Sequence, residues 1–247
     1  MDTRVRVRNT RQPWLTREWG GMPMWGFIVL ILLAIAGAGA WVWHDRQPTP
    51  VRTWTPPPPA IPPVVSVVGD SYTGGSNMDS GREARWPALL GDDYAITTFH
   101  VGGSGYVTPA QQDGEPSTYV TRAAEVDPES DLVLFFGSIN DVGASPEDVT
   151  AAAAEAVDIA EVKAPGANIV VVGPASPEWP VPDELIEVRD AVAAAAMEAR
   201  VVFIDPIESG WFDGRAGLIG DDGIHPNDAG QTYLAGHFSA ILREYAD

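Results

Sequence analysis

The chain has 247 residues and no cysteine, with 15 Lys and Arg against 34 Asp and Glu, a formal charge of −19. So acidic a surface repels phosphate backbones, which sets nucleic acid aside as a partner. With no cysteine, neither a disulfide nor a thiolate metal site can hold the fold, and stability has to come from a buried core.

Residues 1–23 form a basic segment, with Arg4, Arg6, Arg8, Arg11 and Arg17 against Asp2 and Glu18. Residues 24–43 then carry no charge, and a helix of that length spans about 30 Å of hydrocarbon. Trp25, Trp41 and Trp43 sit where interfacial aromatics belong. The arginine excess ahead of the apolar run predicts a cytoplasmic amino terminus and a cell-membrane protein that crosses once, with the rest of the chain extracytoplasmic. Ala36-Gly37-Ala38 and Ala38-Gly39-Ala40 also fit the small-residue pattern of a signal-peptidase site, but the long basic lead and long apolar core favour a retained anchor. Residues 44–63 read as a linker. Its prolines, among them Pro48, Pro50, Pro56 to Pro59, Pro62 and Pro63, forbid helix and favour polyproline II at ~3.1 Å per residue, a spacer of up to about 50 Å.

Residues 64–247 suit one globular domain, and they concentrate the acidity: eight Lys and Arg against 31 Asp and Glu. Short, β-branched, uniformly apolar runs at Val64–Val68, Tyr94–His100, Leu132–Phe136, Ile169–Val172 and Val201–Ile204 predict buried parallel strands. Helices are expected at Pro146–Val162, with Ser145 as N-cap, at Asp183–Ala199, and from Asn227 or Asp228 to Tyr245. The alanine runs at 151–154 and 193–196 read as close-packing helix faces. The alternation implies an α/β fold, a three-layer doubly wound sheet of about five parallel strands preceded by one transmembrane helix. Ligands of such a sheet sit beyond the carboxyl ends of its strands.

Four small polar stations fall at those ends. Gly69-Asp70-Ser71-Tyr72 follows the first strand, Gly102-Gly103-Ser104-Gly105 the second and Asn140-Asp141 the third; Asp222-Gly223-Ile224-His225 lies after the fifth, just before the last helix. Together they supply a hydroxyl nucleophile, an imidazole base with a carboxylate three residues before it, and candidate oxyanion donors, the parts needed to hydrolyse an ester. Serine needs a base to become nucleophilic, and a glycine lets a backbone amide approach substrate without a Cβ in the way. The Gly-x-Ser-x-Gly elbow is absent, since Thr73 stands two residues after Ser71, which argues against an α/β-hydrolase. His44, His100 and His237 take no assigned role, and no metal site or cofactor is implied.

At these residues the chain resembles the SGNH hydrolases, also called the GDSL esterases and lipases, across most of 64–247. Gly69-Asp70-Ser71-Tyr72 is similar to the family's first block, with Tyr in place of the usual Leu. Asn140-Asp141 fits the third block, although Ser138 stands where Gly is usual, and Asp222-Gly223-Ile224-His225-Pro226-Asn227 matches the last. In the second block His100 replaces the usual Asn five residues before Gly105, and Gly103 is an alternative register. The resemblance implies a flavodoxin-like sheet and acyl transfer to Ser71, with His225 as base, Asp222 orienting it, and an oxyanion held by the Ser71 amide, the Gly105 amide and the Asn140 side chain. Tyr72, Tyr106, Trp179 and Trp211 are expected to wall the substrate pocket. The expected substrate is an acyl ester, O-acetyl among the candidates, of an envelope glycan or lipid. A lipase or thioesterase on other substrates, and a catalytically silent glycan-binding module, are the alternatives.

Overall fold

A computed structural model describes residues 14–46 and 61–246. Arg4, Arg6, Arg8 and Arg11 of the basic segment, and the linker prolines from Pro48 to Pro59, lie outside the described residues. The chain forms two compact units, 1–59 and 60–247. In the first, a tight hairpin of Glu18–Trp19 and Met22–Pro23, turning on Gly20 and Gly21 at positive φ, leads into helix α1, Met24–Asp45. Helix α1 is 22 residues long and buries none of its side chains, with a mean hydropathy of 2.2 over its most apolar window. It is long and apolar enough to cross a membrane, a property that signal sequences share.

The second unit is built on a five-stranded sheet. Its strands are β1 (Val64–Gly69), β2 (Ala95–His100), β3 (Leu132–Phe136), β4 (Asn168–Val172) and β5 (Val202–Ile204), in spatial order β2-β1-β3-β4-β5, every pairing parallel. Parallel strands need crossovers, and the long ones are α2 (Pro146–Lys163) and α3 (Asp183–Ala199), with α4 (Asp228–Tyr245) closing the chain. Ser145 and Asn227 cap α2 and α4 by accepting the amides of Asp148 and Gly230.

The apolar runs are apolar throughout because both sheet faces are covered. Val68, Val133, Phe135, Ile169 and Val171 point into a core with α2 and α3, where Ala153, Ala156 and Ala160 meet Ala191, Ala195 and Ala196. Small side chains let these two helices lie close. Val65, Val67, Leu132, Leu134, Phe136, Val170 and Val172 point the other way, to Leu234, Phe238, Ile241 and Leu242 of α4 and to Trp86, Trp211 and Phe212. The α/β three-layer expectation holds, with one correction: β2 is an edge strand whose residues are exposed or half-buried, and the short β5 edges the other side. An edge strand has one neighbour, so the Tyr94–His100 segment cannot be buried like β1 and β3.

The second core centres on Phe238, whose ring stacks on Trp86 at 3.9 Å and meets Phe136 and Trp211 edge-on at 5.0 and 5.8 Å. Phe238→Ala is expected to lower the unfolding free energy by about 3–5 kcal/mol, read from the urea midpoint of the variant against the parent.

Candidate active site

Ser71 opens a one-turn helix, Ser71–Gly74, directly after β1. The Asp70 carboxylate caps that turn by accepting the Tyr72 amide at 2.8 Å, and Ser71 itself is only 8% exposed. From the far end of the domain, the turn at 220–226 brings His225 to it: Nε2 stands 2.8 Å from Ser71 Oγ, and Nδ1 stands 2.7 Å from Asp222 Oδ2. Asp222 Oδ1 accepts the backbone amides of Ile224 and His225, both at 2.9 Å. Those bonds, the His225 amide foremost and then its ring, hold the Asp222 carboxyl down to about 2. An ionised Asp222 at Nδ1 favours the tautomer whose proton lies on Nδ1, leaving Nε2 free to accept from the Ser71 hydroxyl.

The third station lies beside the first. After β3 a 3-10 turn, Ile139–Asp141, carries Asn140, and Ser138 Oγ accepts the Asn140 amide while donating to the Ser104 carbonyl, both at 3.0 Å. Asn140 Nδ2 donates to Ser104 O at 2.9 Å and to Asp70 Oδ2 at 3.2 Å. The Asp70 carboxyl is pushed up to about 6, chiefly by burial, against the opposing pull of the Tyr72 amide. The nearby Tyr119 hydroxyl donates to the Phe136 carbonyl at 2.6 Å.

The second station is where the geometry departs from expectation. Gly105 is buried, and its amide donates to the Thr108 carbonyl at 2.8 Å, so that N–H does not point into the site. Its lack of a Cβ serves another purpose, because a Cβ there would stand 2.2 Å from Asp141 Oδ1. The Asp141 carboxylate fills that space and accepts the amides of Tyr106, Thr108 and Val107 at 2.7, 3.0 and 3.2 Å. Of that station's other glycines, Gly102 lies beside the serine, where a Cβ would stand 3.6 Å from Ser71 Cβ; Gly102 and Gly103 are both exposed, and neither amide donates to a protein acceptor among the described residues. Gly103, the alternative register, thus has no bond of the kind that occupies the Gly105 amide.

Of the four aromatic residues expected to wall a pocket, Trp179 is 37% exposed, on the loop leaving the carboxyl end of β4. Tyr72, Tyr106 and Trp211 are 3%, 1% and 3% exposed and are corrected to interior positions. Tyr106 packs against Tyr119 at 4.7 Å, Trp211 stacks on His237 at 4.2 Å, and Tyr72 is held between Phe136 and Phe212. Tyr72 and Tyr106 adjoin the serine and glycine stations in sequence, yet their rings turn inward against Phe136 and Phe212 and against Tyr119.

Sequence reasoning also passed over Arg122. It is wholly buried, and it donates to the carbonyls of Gly69 and Phe99 at 3.1 Å and to the hydroxyls of Ser104 and Ser117 at 2.8 Å. A lone arginine in a short amphipathic stretch gives no sequence signal that it will be interior. Asp141→Ala, which strands three amides at once, is expected to cost on the order of 3 kcal/mol and to lower the specific activity of the folded fraction, measured by denaturant titration alongside ester turnover.

The domain matches the profile of the GDSL-like Lipase/Acylhydrolase family over residues 67–233. It is 38% identical to the GDSL lipase Rv0518 of Mycobacterium tuberculosis (strain ATCC 25618 / H37Rv) over 188 residues, covering 72% of this chain and 80% of that protein. Among solved structures it is similar to TesA, with a TM-score of 0.59 and 23% identity over 73% of this chain and 98% of the other. It is also similar to a family two carbohydrate esterase from Clostridium thermocellum, with a TM-score of 0.59 and 16% identity over 75% and 65% of the two chains. By the family match and the 38% identity, this chain belongs to the GDSL-like lipase/acylhydrolase family and is an ester-hydrolysing serine hydrolase.

Proposed function

We propose that residues 64–247 form an extracytoplasmic esterase domain that removes short acyl groups, O-acetyl among them, from envelope glycans or lipids, and that residues 24–43 anchor it to the membrane through the 44–63 linker, with 1–23 in the cytoplasm. The observation that carries the chemistry is the continuous hydrogen-bonded line from Asp222 Oδ2 through the His225 ring to Ser71 Oγ, at 2.7 and 2.8 Å. In this reading Ser71 Oγ attacks the ester carbonyl as His225 Nε2 takes its proton, and Asp222 balances the imidazolium. The oxyanion is met by the Ser71 amide, an amide of the Gly102-Gly103 turn, and Asn140 Nδ2, which gives up its longer 3.2 Å contact with Asp70. Collapse expels the alcohol with a proton from the imidazolium. A water molecule, deprotonated in turn by His225, then releases the acid.

Trp179 supports the glycan side of the reading. An exposed indole on the loop after β4 stands at the rim that carries Ser71 and offers a flat face for a sugar ring. Likeness to a carbohydrate esterase points the same way, whereas the name of the M. tuberculosis relative favours a lipid ester. The anchor rests on the length and apolarity of α1.

Two outcomes are expected. A fluorophosphonate labels the wild-type protein at Ser71, and Ser71→Ala loses both labelling and p-nitrophenyl acetate turnover, by about 10³-fold or more in kcat; undiminished hydrolysis by the variant removes Ser71 from the mechanism. Across a panel of acetylated oligosaccharides and p-nitrophenyl esters of increasing chain length, kcat/KM is highest for acetyl and falls with acyl length, and Trp179→Ala raises KM for the oligosaccharides alone. A maximum at long acyl chains would favour the lipase reading.

A further inference from the structure

We infer that Tyr72 is a positioning residue: its buried hydroxyl straps the turn that carries His225 to the segment that carries Ser71, and so keeps the imidazole in place after Ser71 has been acylated. This inference rests on the proposed roles of Ser71 and His225. The Tyr72 hydroxyl donates to the Ile224 carbonyl at 2.6 Å, across 152 residues of sequence, and Ile224 immediately precedes His225. The donor is rigid. Its backbone amide is bound to Asp70 at 2.8 Å, and its ring is gripped edge-on by Phe136 and Phe212, with centroids at 6.1 and 6.4 Å. Burial first, then the carboxylates of Asp70 and Asp222, keep the phenol from ionising, so it remains a donor.

The acceptor side needs such a tie. The turn is braced internally, with the Gly220 amide on the His225 carbonyl at 2.8 Å, the Gly223 amide on the Gly220 carbonyl at 3.0 Å, and Asp222 Oδ1 on two amides. Those bonds fix its shape without fixing where it stands relative to Ser71, and the turn lies at the surface, with Ile224 46% exposed. Among the described residues, two hydrogen bonds join it to the Ser71–Gly74 segment: His225 to Ser71 Oγ, and Tyr72 to Ile224. Acylation removes the first, because an esterified Oγ has no proton to donate. From then until a water molecule releases the acid, the Tyr72 bond is the remaining one of the pair. Loss of that bond therefore weighs more on deacylation than on acylation.

Tyr72→Phe removes the oxygen and leaves the ring. The full-length variant is expected to lose about three- to tenfold in kcat for p-nitrophenyl acetate, the worth of one hydrogen bond, with KM unchanged or lower as acyl-enzyme accumulates. A pre-steady-state burst of nitrophenol larger than the wild type's, a fluorophosphonate labelling rate reduced less than kcat, and an unchanged melting midpoint complete the expected result. Tyr72→Leu, lacking ring and hydroxyl, should lose at least as much kcat. Wild-type kcat in Tyr72→Phe overturns the inference, as does an equal fall in labelling and turnover accompanied by a lower melting midpoint, which marks a fold defect. Ser71→Ala is run in parallel: an active wild type, a dead Ser71→Ala and an unimpaired Tyr72→Phe would sink the strap alone, whereas turnover that survives in Ser71→Ala would sink the underlying mechanism.

Discussion

Arg122 is fully buried with no carboxylate at salt-bridge distance among the described residues. A cation withdrawn from water is costly unless its hydrogens find acceptors, so the carbonyls of Gly69 and Phe99 and the hydroxyls of Ser104 and Ser117 are compelled to face one point, with the Tyr119 ring 5.2 Å from the guanidinium carbon. Gly69 ends the strand that leads to Ser71, Phe99 lies near the end of its neighbour, and Ser104 belongs to the glycine turn beside the serine. One planar cation thereby gathers two strand ends and a loop. The Asp141 carboxylate does the complementary work from the next strand, collecting three amides of the segment that follows that turn.

These two charges divide the site into a stiff floor and a lighter wall. Asp70, Ser104, Ser138 and Asn140 are linked to one another by hydrogen bonds, so groups that would receive developing charge are held in advance, which is where electrostatic stabilisation is most effective. The imidazole instead comes from a surface turn just ahead of α4, tied across by few contacts. In the proposed mechanism the base takes a proton first from serine and later from water, and would benefit from that freedom provided its distance from the serine stays within hydrogen-bond reach.

The parallel sheet makes such a meeting possible. Every crossover returns the chain so that strand ends of one kind share an edge, and residues as distant as 71, 140 and 225 emerge together there. Burial on both faces keeps this scaffold firm without a disulfide: alanine-lined helices cover one face, and the Trp86–Phe238 stack anchors the helix on the other.

Much of this was legible in the order of residues. Apolar and β-branched runs bounded by turn residues located all five strands to within one residue at every boundary, and the interior strands β1, β3 and β4 are almost wholly apolar because both of their faces are covered. The carboxylate three residues before His225 was readable because one short turn delivers both, and the helix expected over the charge-free residues 24–43 runs on two residues to Asp45. Tertiary structure alone decided that the Gly105 amide is spent on the Thr108 carbonyl, in a loop whose next three amides are gathered by the Asp141 carboxylate 36 positions away from the glycine. It also decided that Tyr72, Tyr106 and Trp211 lie inside while Trp179 does not, and that an arginine and an aspartate brace the rim. The physical reason is common to all of these. Local patterns report what a segment can bury or bond by itself, whereas the exposure of one ring, or the partner of one buried charge, depends on which distant segments close around it.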